Sequence, residues 1–130
     1  MEVYELLITR LRPYINTVSE QLKNKNFGDT VVVGGAIQYV IPPVIPSFND
    51  DTYGIMMLDD SVGESCIVLT DTVYEKYKQF LGQDEVVLVK GRVMMLKKCH
   101  GIKELDTEYR VIATGIVPLT SAEERSNRDG

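Results

Sequence analysis

The run LDDSVGESCIVLTDTVYEKYKQFLGQDEVVLVKGRV (58–93) decides the fold. Within it GESCIVLT (63–70) is apolar and β-branched, and YGIMMLDD (53–60) faces it across Ser61 and Val62, the pattern of a β-hairpin. DTVYEKYKQFLG (71–82) opens on a residue type that caps helices and closes on glycine, which predicts a short helix. EVVLVKGRVMML (85–96) sets Val87, Val89, Val93 and Met95 against Lys90 and Arg92, the alternation of a half-buried strand.

Working outward, TVVVGGAIQYVI (30–41) is a long strand expected to bend where its central glycine pair leaves side chains out. PPVIPSFNDD (42–51) follows, and its three prolines and Asn-Asp-Asp end predict a loop. KKCHGIKELDTE (97–108) is a second, polar loop leading to a last strand, YRVIATGIVPL (109–119). Three strands, a helix and two more strands make a mainly β domain over 28–119. The order is that of a five-stranded OB-fold, a Greek-key barrel with its short helix between strands 3 and 4. Its ligands usually lie across strands 2 and 3, between the loops joining strands 1 and 2 and strands 4 and 5. By alternation Gly54, Met56 and Leu58 point inward, and Tyr53, Ile55 and Met57 outward.

Residues 1–27 form an N-terminal helical segment. Tyr4, Leu7, Leu11, Tyr14 and Val18 lie at amphipathic-helix spacing, Pro13 predicts a break near Arg12, and NKNFG (24–28) is a polar link. The stripe either caps the barrel or supports self-association through residues 3–22. The tail, 120–130, lacks core-forming residues and is expected to be disordered.

The whole chain has 130 residues, 44% of them hydrophobic and 25% charged, the usage of a globular domain. Acidic and basic side chains together leave a net charge of −5, which speaks against sequence-blind binding of phosphates. From Gly28 to Glu75 there is no Lys or Arg, whereas Lys76 to Arg110 carries eight cations against five anions. An anionic ligand should therefore favour the second half. No apolar run approaches the roughly 20 residues of a membrane span, and no signal peptide is read, so a cytoplasmic chain without membrane contact is expected.

The quoted stretch also resembles a known family, the OB domain near the C-terminus of the bacterial replicative DNA polymerase III alpha subunit. VYEKYKQFLGQDEVVLVKGRV (73–93) is the most specific part; GDTVVVGGAI (28–37) is similar to the family's first strand and RVIATGI (110–116) to its last. The resemblance implies a barrel lying near single-stranded template, with replication proteins as partners. Two departures weaken the parallel. The family's short basic loop between strands 1 and 2 is replaced by VIPPVIPSFNDDTYG (40–54), and Thr70-Asp71 stands where the family often has Phe-Pro.

These readings give a non-catalytic module binding single-stranded DNA or RNA weakly, with a protein-interaction or oligomerisation module as the alternative. Tyr39, Phe48 and Tyr53 are candidate stacking residues, and Lys90, Arg92, Lys97, Lys98 and Lys103 candidate backbone contacts. Plain barrel packing and a solvated strand face are the competing explanations. Cys99 and His100 are adjacent, but a zinc site needs three or four ligands and only Cys66 and carboxylates remain. No phosphate loop, dinucleotide fingerprint or nucleophile–base pair is present. No metal, cofactor or catalytic residue is expected.

Overall fold

A computed structural model describes residues 14–46, 51–60, 62–83, 85–100 and 103–118, with side chains placed for all but 19, 96–100 and 103–107. β1 (Thr30–Pro46) is the longest strand and serves two neighbours in turn. Its first part pairs with β4 (Val86–His100), from Thr30 opposite Arg92 to Ala36 opposite Val86. Its second part pairs with β2 (Thr52–Asp59), from Ala36 opposite Asp59 to Pro46 opposite Thr52. β3 (Glu64–Leu69) returns beside β2, and α1 (Asp71–Tyr77), continued by a 3-10 turn over Lys78–Phe80, leads back to β4. β5 (Lys103–Pro118) then inserts between β3 and β4, parallel to the former and antiparallel to the latter. The sheet closes in the order β1-β2-β3-β5-β4. This is the OB architecture predicted from the element order.

Period-2 alternation places the core. Val31, Val33, Ile37, Met56, Leu58, Ile67, Leu69, Val87, Val89, Val93 and Val111 point into the barrel and are fully buried. The inward parity of Gly54, Met56 and Leu58 is as expected. Thr70 caps α1 by accepting from the Val73 N–H (3.3 Å), and Val73, Tyr74 and Tyr77 pack against the core. Leu22, from a 3-10 turn over Ser19–Asn24, joins the same core.

Four elements differ from the sequence reading. The proline-rich segment expected to be a loop from 42 continues β1 to Pro46, because β1 bulges. Between the Ile41–Ile55 and Ile45–Tyr53 pairs it takes four steps to two on β2, so Pro42 and Pro43 are not asked for ladder donors they lack. The polar segment expected to be a loop over 97–108 forms instead a two-stranded ribbon, in which Lys97 pairs with Thr107 and His100 with Lys103. α1 gives way to the 3-10 turn before reaching Gly82. Residues 15–18 are not helical. The Asn16 and Thr17 N–H groups donate to the Val32 carbonyl (3.0 and 3.2 Å), and the Val32 N–H donates to Asn16 Oδ1 (2.8 Å). Tyr14 and Ile15 pack with Ala36, Val86 and Leu88, so this segment covers the outside of β1 and β4. The expected break near Arg12 and the tail from 120 lie outside the described residues.

Candidate functional site

With the N-terminal segment over β1 and β4 and α1 packed against the core, the outer surface of β2, β3 and β5 is left without a covering element among the described residues. Strand register fixes what this surface carries. One cross-strand row runs Tyr39, Met57, Cys66, Arg110, Met94, from β1 to β4. The next runs Ile41, Ile55, Val68, Ile112, Arg92. Tyr53 lies beyond the second row, opposite Ile45. Tyr39 is 48% exposed and Tyr53 half-buried. The face is therefore aromatic and aliphatic, with Arg92 at its β4 edge and one guanidinium set further in.

That guanidinium belongs to Arg110, a residue the sequence reading counted as a cation but did not select. Its side chain is only 16% exposed, and Nη2 donates to Glu108 Oε2 at 3.0 Å. Burial works against its charge, but the hydrogen bond it donates to Glu108, its electrostatic interactions with Cys66 and Glu108, and a hydrogen bond with the Tyr53 hydroxyl outweigh it and hold the group above its ordinary value. Nε is buried without a partner among the described residues. Beside it, burial pushes the Cys66 thiol up, while Arg110 pulls it down and Glu108 raises it.

The acidic half of the sequence takes on a different meaning in three dimensions. Asp29 precedes β1, Asp51 precedes β2, Asp59 and Glu64 flank the β2–β3 turn, and Asp71 and Glu75 lie on α1. Asp60 is buried in that turn, accepting from the Val62 and Gly63 N–H groups (3.0 and 2.9 Å). The anions sit at strand ends and on the helix, so the middle of the face between Tyr39 and Arg110 is uncharged.

Of the residues selected from sequence, Tyr39 and Tyr53 lie along this face. Lys90 and Arg92 are exposed on β4, which β3 and β5 separate from β2 one way round the barrel and β1 the other. Lys90 stands opposite Val32, where the N-terminal segment is fastened, so the structure does not bring it to the tyrosines, while Arg92 ends the second row beside Ile112, at the edge of the face away from them. Lys97, Lys98 and Lys103 lie on the β4–β5 ribbon by backbone register, their side chains outside the description. Phe48 lies outside the described residues. The β1–β2 arm projects at the end of β2 where Thr52 starts, and the β4–β5 ribbon beyond the other end, so the two arms bound the face. Among the described residues, no three His, Cys, Asp or Glu side chains are grouped to hold a metal, and no helix is long and apolar enough to cross a membrane.

No family model and no curated protein matches this sequence. Solved structures do match in shape. An OBody bound to hen egg-white lysozyme superposes with a TM-score of 0.53 at 14% identity, over 80% of this chain and 92% of that one. The Plasmodium falciparum SSB in complex with ssDNA gives 0.51 at 13% identity, over 72% and 96% of the two chains. The Entamoeba histolytica asparaginyl-tRNA synthetase gives 0.53 at 13% identity, over 82% of this chain, which spans only 25% of the synthetase. At such identities the likenesses show the fold alone, and with the strand order they establish this chain as an OB-type barrel.

Proposed function

We propose that this chain is a non-catalytic OB module that holds a short stretch of single-stranded nucleic acid across the outer face of β2, β3 and β5. The observation that carries the proposal is the face itself: uncovered, uncharged in its middle, aromatic at Tyr39 and Tyr53, and bounded by two projecting hairpins. Bases stack on such rings with about 1–3 kcal/mol each, whatever their sequence. Lys97, Lys98 and Lys103 on the β4–β5 ribbon supply phosphate contacts at one end, and the acidic strand ends keep the backbone off the other. Likeness in fold to the Plasmodium SSB, which binds ssDNA, supports this reading. The sequence resemblance to the polymerase III alpha subunit suggests replication as the setting, with template handling as the task.

A titration with labelled single-stranded oligonucleotide, followed by anisotropy at several salt concentrations, tests the proposal. Binding is expected to be weak. Changing Lys97 and Lys98 together to Ala should flatten the salt dependence by about 0.7 per lost phosphate contact. Tyr53→Ala should weaken binding at every salt concentration without altering the slope. Absence of binding to DNA and RNA at low salt, where screening is least, sinks the reading.

A second reading has its own observation. Val44 is 65% exposed on the β1 arm that also carries the exposed Ile41 and Tyr39, and apolar surface of this kind suits a protein partner. The OBody structure pairs the same barrel with a protein. Docking of a replication protein or a second copy is the account to adopt if oligonucleotides fail.

A further inference from the structure

Arg110 is poorly built to hold phosphate. A phosphate contact draws its strength from a free cation whose pairing releases counterions. Arg110 already donates to Glu108 at 3.0 Å and is mostly buried, so the local charge is close to neutral. An incoming phosphate would have to displace a carboxylate that holds the guanidinium in place. Two side chains fully in solvent would be a looser arrangement; here the exposures are 16% and 31%.

What the guanidinium keeps is its directionality. It has five N–H donors in a planar fork and no acceptor. Nε is buried, one Nη2 hydrogen is committed to Glu108 and the Tyr53 hydroxyl also meets the fork, leaving the remaining Nη hydrogens as donors. Besides the Tyr53 hydroxyl, the neighbours around them are Cys66, Ile112 and Met94, none of which offers a strong acceptor. In such surroundings a donor that finds no acceptor costs about 1–3 kcal/mol, which turns hydrogen bonding into discrimination. Tyr39, at the far end of the same row, offers a ring to the flat face of a base.

We propose that Arg110 reads a nucleobase edge presenting two adjacent acceptors, guanine O6/N7 or cytosine O2/N3, and makes no phosphate contact. The inference rests on the reading that this face holds nucleic acid. It makes the module base-selective at one position, where stacking alone would leave it indifferent. Arginine on guanine O6/N7 discriminates against wrong bases by about 1–3 kcal/mol, a factor of about five or more in affinity.

The test uses the full chain with a short labelled oligo(dT) and the same oligomer carrying one central dG, dC or dA. The dG and dC versions should bind about fivefold or more tightly than the dT and dA versions. Arg110→Lys keeps the charge and loses the fork; it should erase that preference, so that all four oligomers bind alike, without flattening the salt slope, with circular dichroism reporting that the barrel is folded. Glu108→Gln frees the guanidinium charge and should steepen the salt slope by about 0.7. Equal binding of all four oligomers by the unmodified protein overturns this inference and leaves the nucleic-acid reading standing, and that comparison needs no variant. A salt slope flattened by Arg110→Lys also overturns it. Binding of none of the four sinks the nucleic-acid reading itself.

Discussion

Gly54→Ala tests how the β1–β2 arm is held. The arm's bulge carries Pro42 and Pro43 across β2 at Gly54, and a Cβ there would run into the Ile41 carbonyl oxygen, with the Pro42 carbonyl carbon at 3.0 Å and the Pro43 nitrogen at 3.1 Å. All three are backbone atoms, two of them in proline residues, so no side chain can swing aside. Overpacking of this kind costs about 1–3 kcal/mol. Alanine returns about 0.4–1 kcal/mol by restricting the unfolded chain. The net loss spans about 0–2.6 kcal/mol, and a clash with immovable backbone places Gly54→Ala in its upper part, about 1–2.6 kcal/mol or roughly 4–20 °C in melting temperature for a domain of this size. Gly82→Ala is the control, since its Cβ would meet only Glu85 Cγ at 3.5 Å, an ordinary contact, and it should stay within about 0.5 kcal/mol of the parent. Urea unfolding followed by circular dichroism measures both. Because Tyr39 and Ile41 sit on the strand that must move, Gly54→Ala should also weaken oligonucleotide binding. A Gly54→Ala protein as stable as the Gly82→Ala control would refute the close packing of the bulge against β2.

Leu22 is 3% exposed and packs into the barrel core, so Leu22→Ala should cost about 2–5 kcal/mol by urea unfolding; a loss well under 1 kcal/mol would mean that residues 19–24 are not part of the folded unit. Thr70→Ala removes the α1 cap and should cost about 1 kcal/mol, read as a lower unfolding midpoint. In a Cys99→Ser background, Cys66 should react slowly with a disulfide reagent at pH 8 and faster as pH rises, because burial raises its pKa and the thiolate is the nucleophile. By linkage, the folded chain holds that proton more tightly than the unfolded one. The stability this contributes is present below about pH 9 and falls as pH climbs through the raised folded value, which unfolding curves across that range would show.

What the sequence disclosed was what neighbouring residues determine. Period-2 alternation gave the inward set on β2, a capping residue type at Asp71 and a closing glycine announced α1, whose cap is in fact the preceding Thr70, and the element order announced the barrel. Proline in a strand reads as a break, and β1 continues past Pro42 only because Gly54, on another strand, makes room for a bulge. The β4–β5 ribbon reads as loop because beyond the barrel it has no core face, and burial is what imprints alternation on a sequence. Arg110 was out of reach for a different reason: its neighbours Cys66 and Tyr53 come from distant chain segments through the parallel β3–β5 pairing. Counting charges along the chain made strands 1–3 look hostile to an anionic ligand. Folding moves those carboxylates to the strand ends and leaves the face between them neutral.

Beyond Ile37, β1 has a ladder partner only in β2 among the described strands, so its other side is a bare edge of the kind that recruits foreign strands. Pro42, Pro43 and Pro46 leave this segment with fewer N–H donors to offer an added strand, and the bulge spoils the straight repeat that stacking into fibres requires. The arm can therefore keep Tyr39, Ile41 and Val44 exposed for recognition without becoming a template for its own copies. Replacing the three prolines with strand-forming residues such as valine would leave the side-chain surface equally greasy and remove the safeguard, turning a recognition arm into a seed for aggregation.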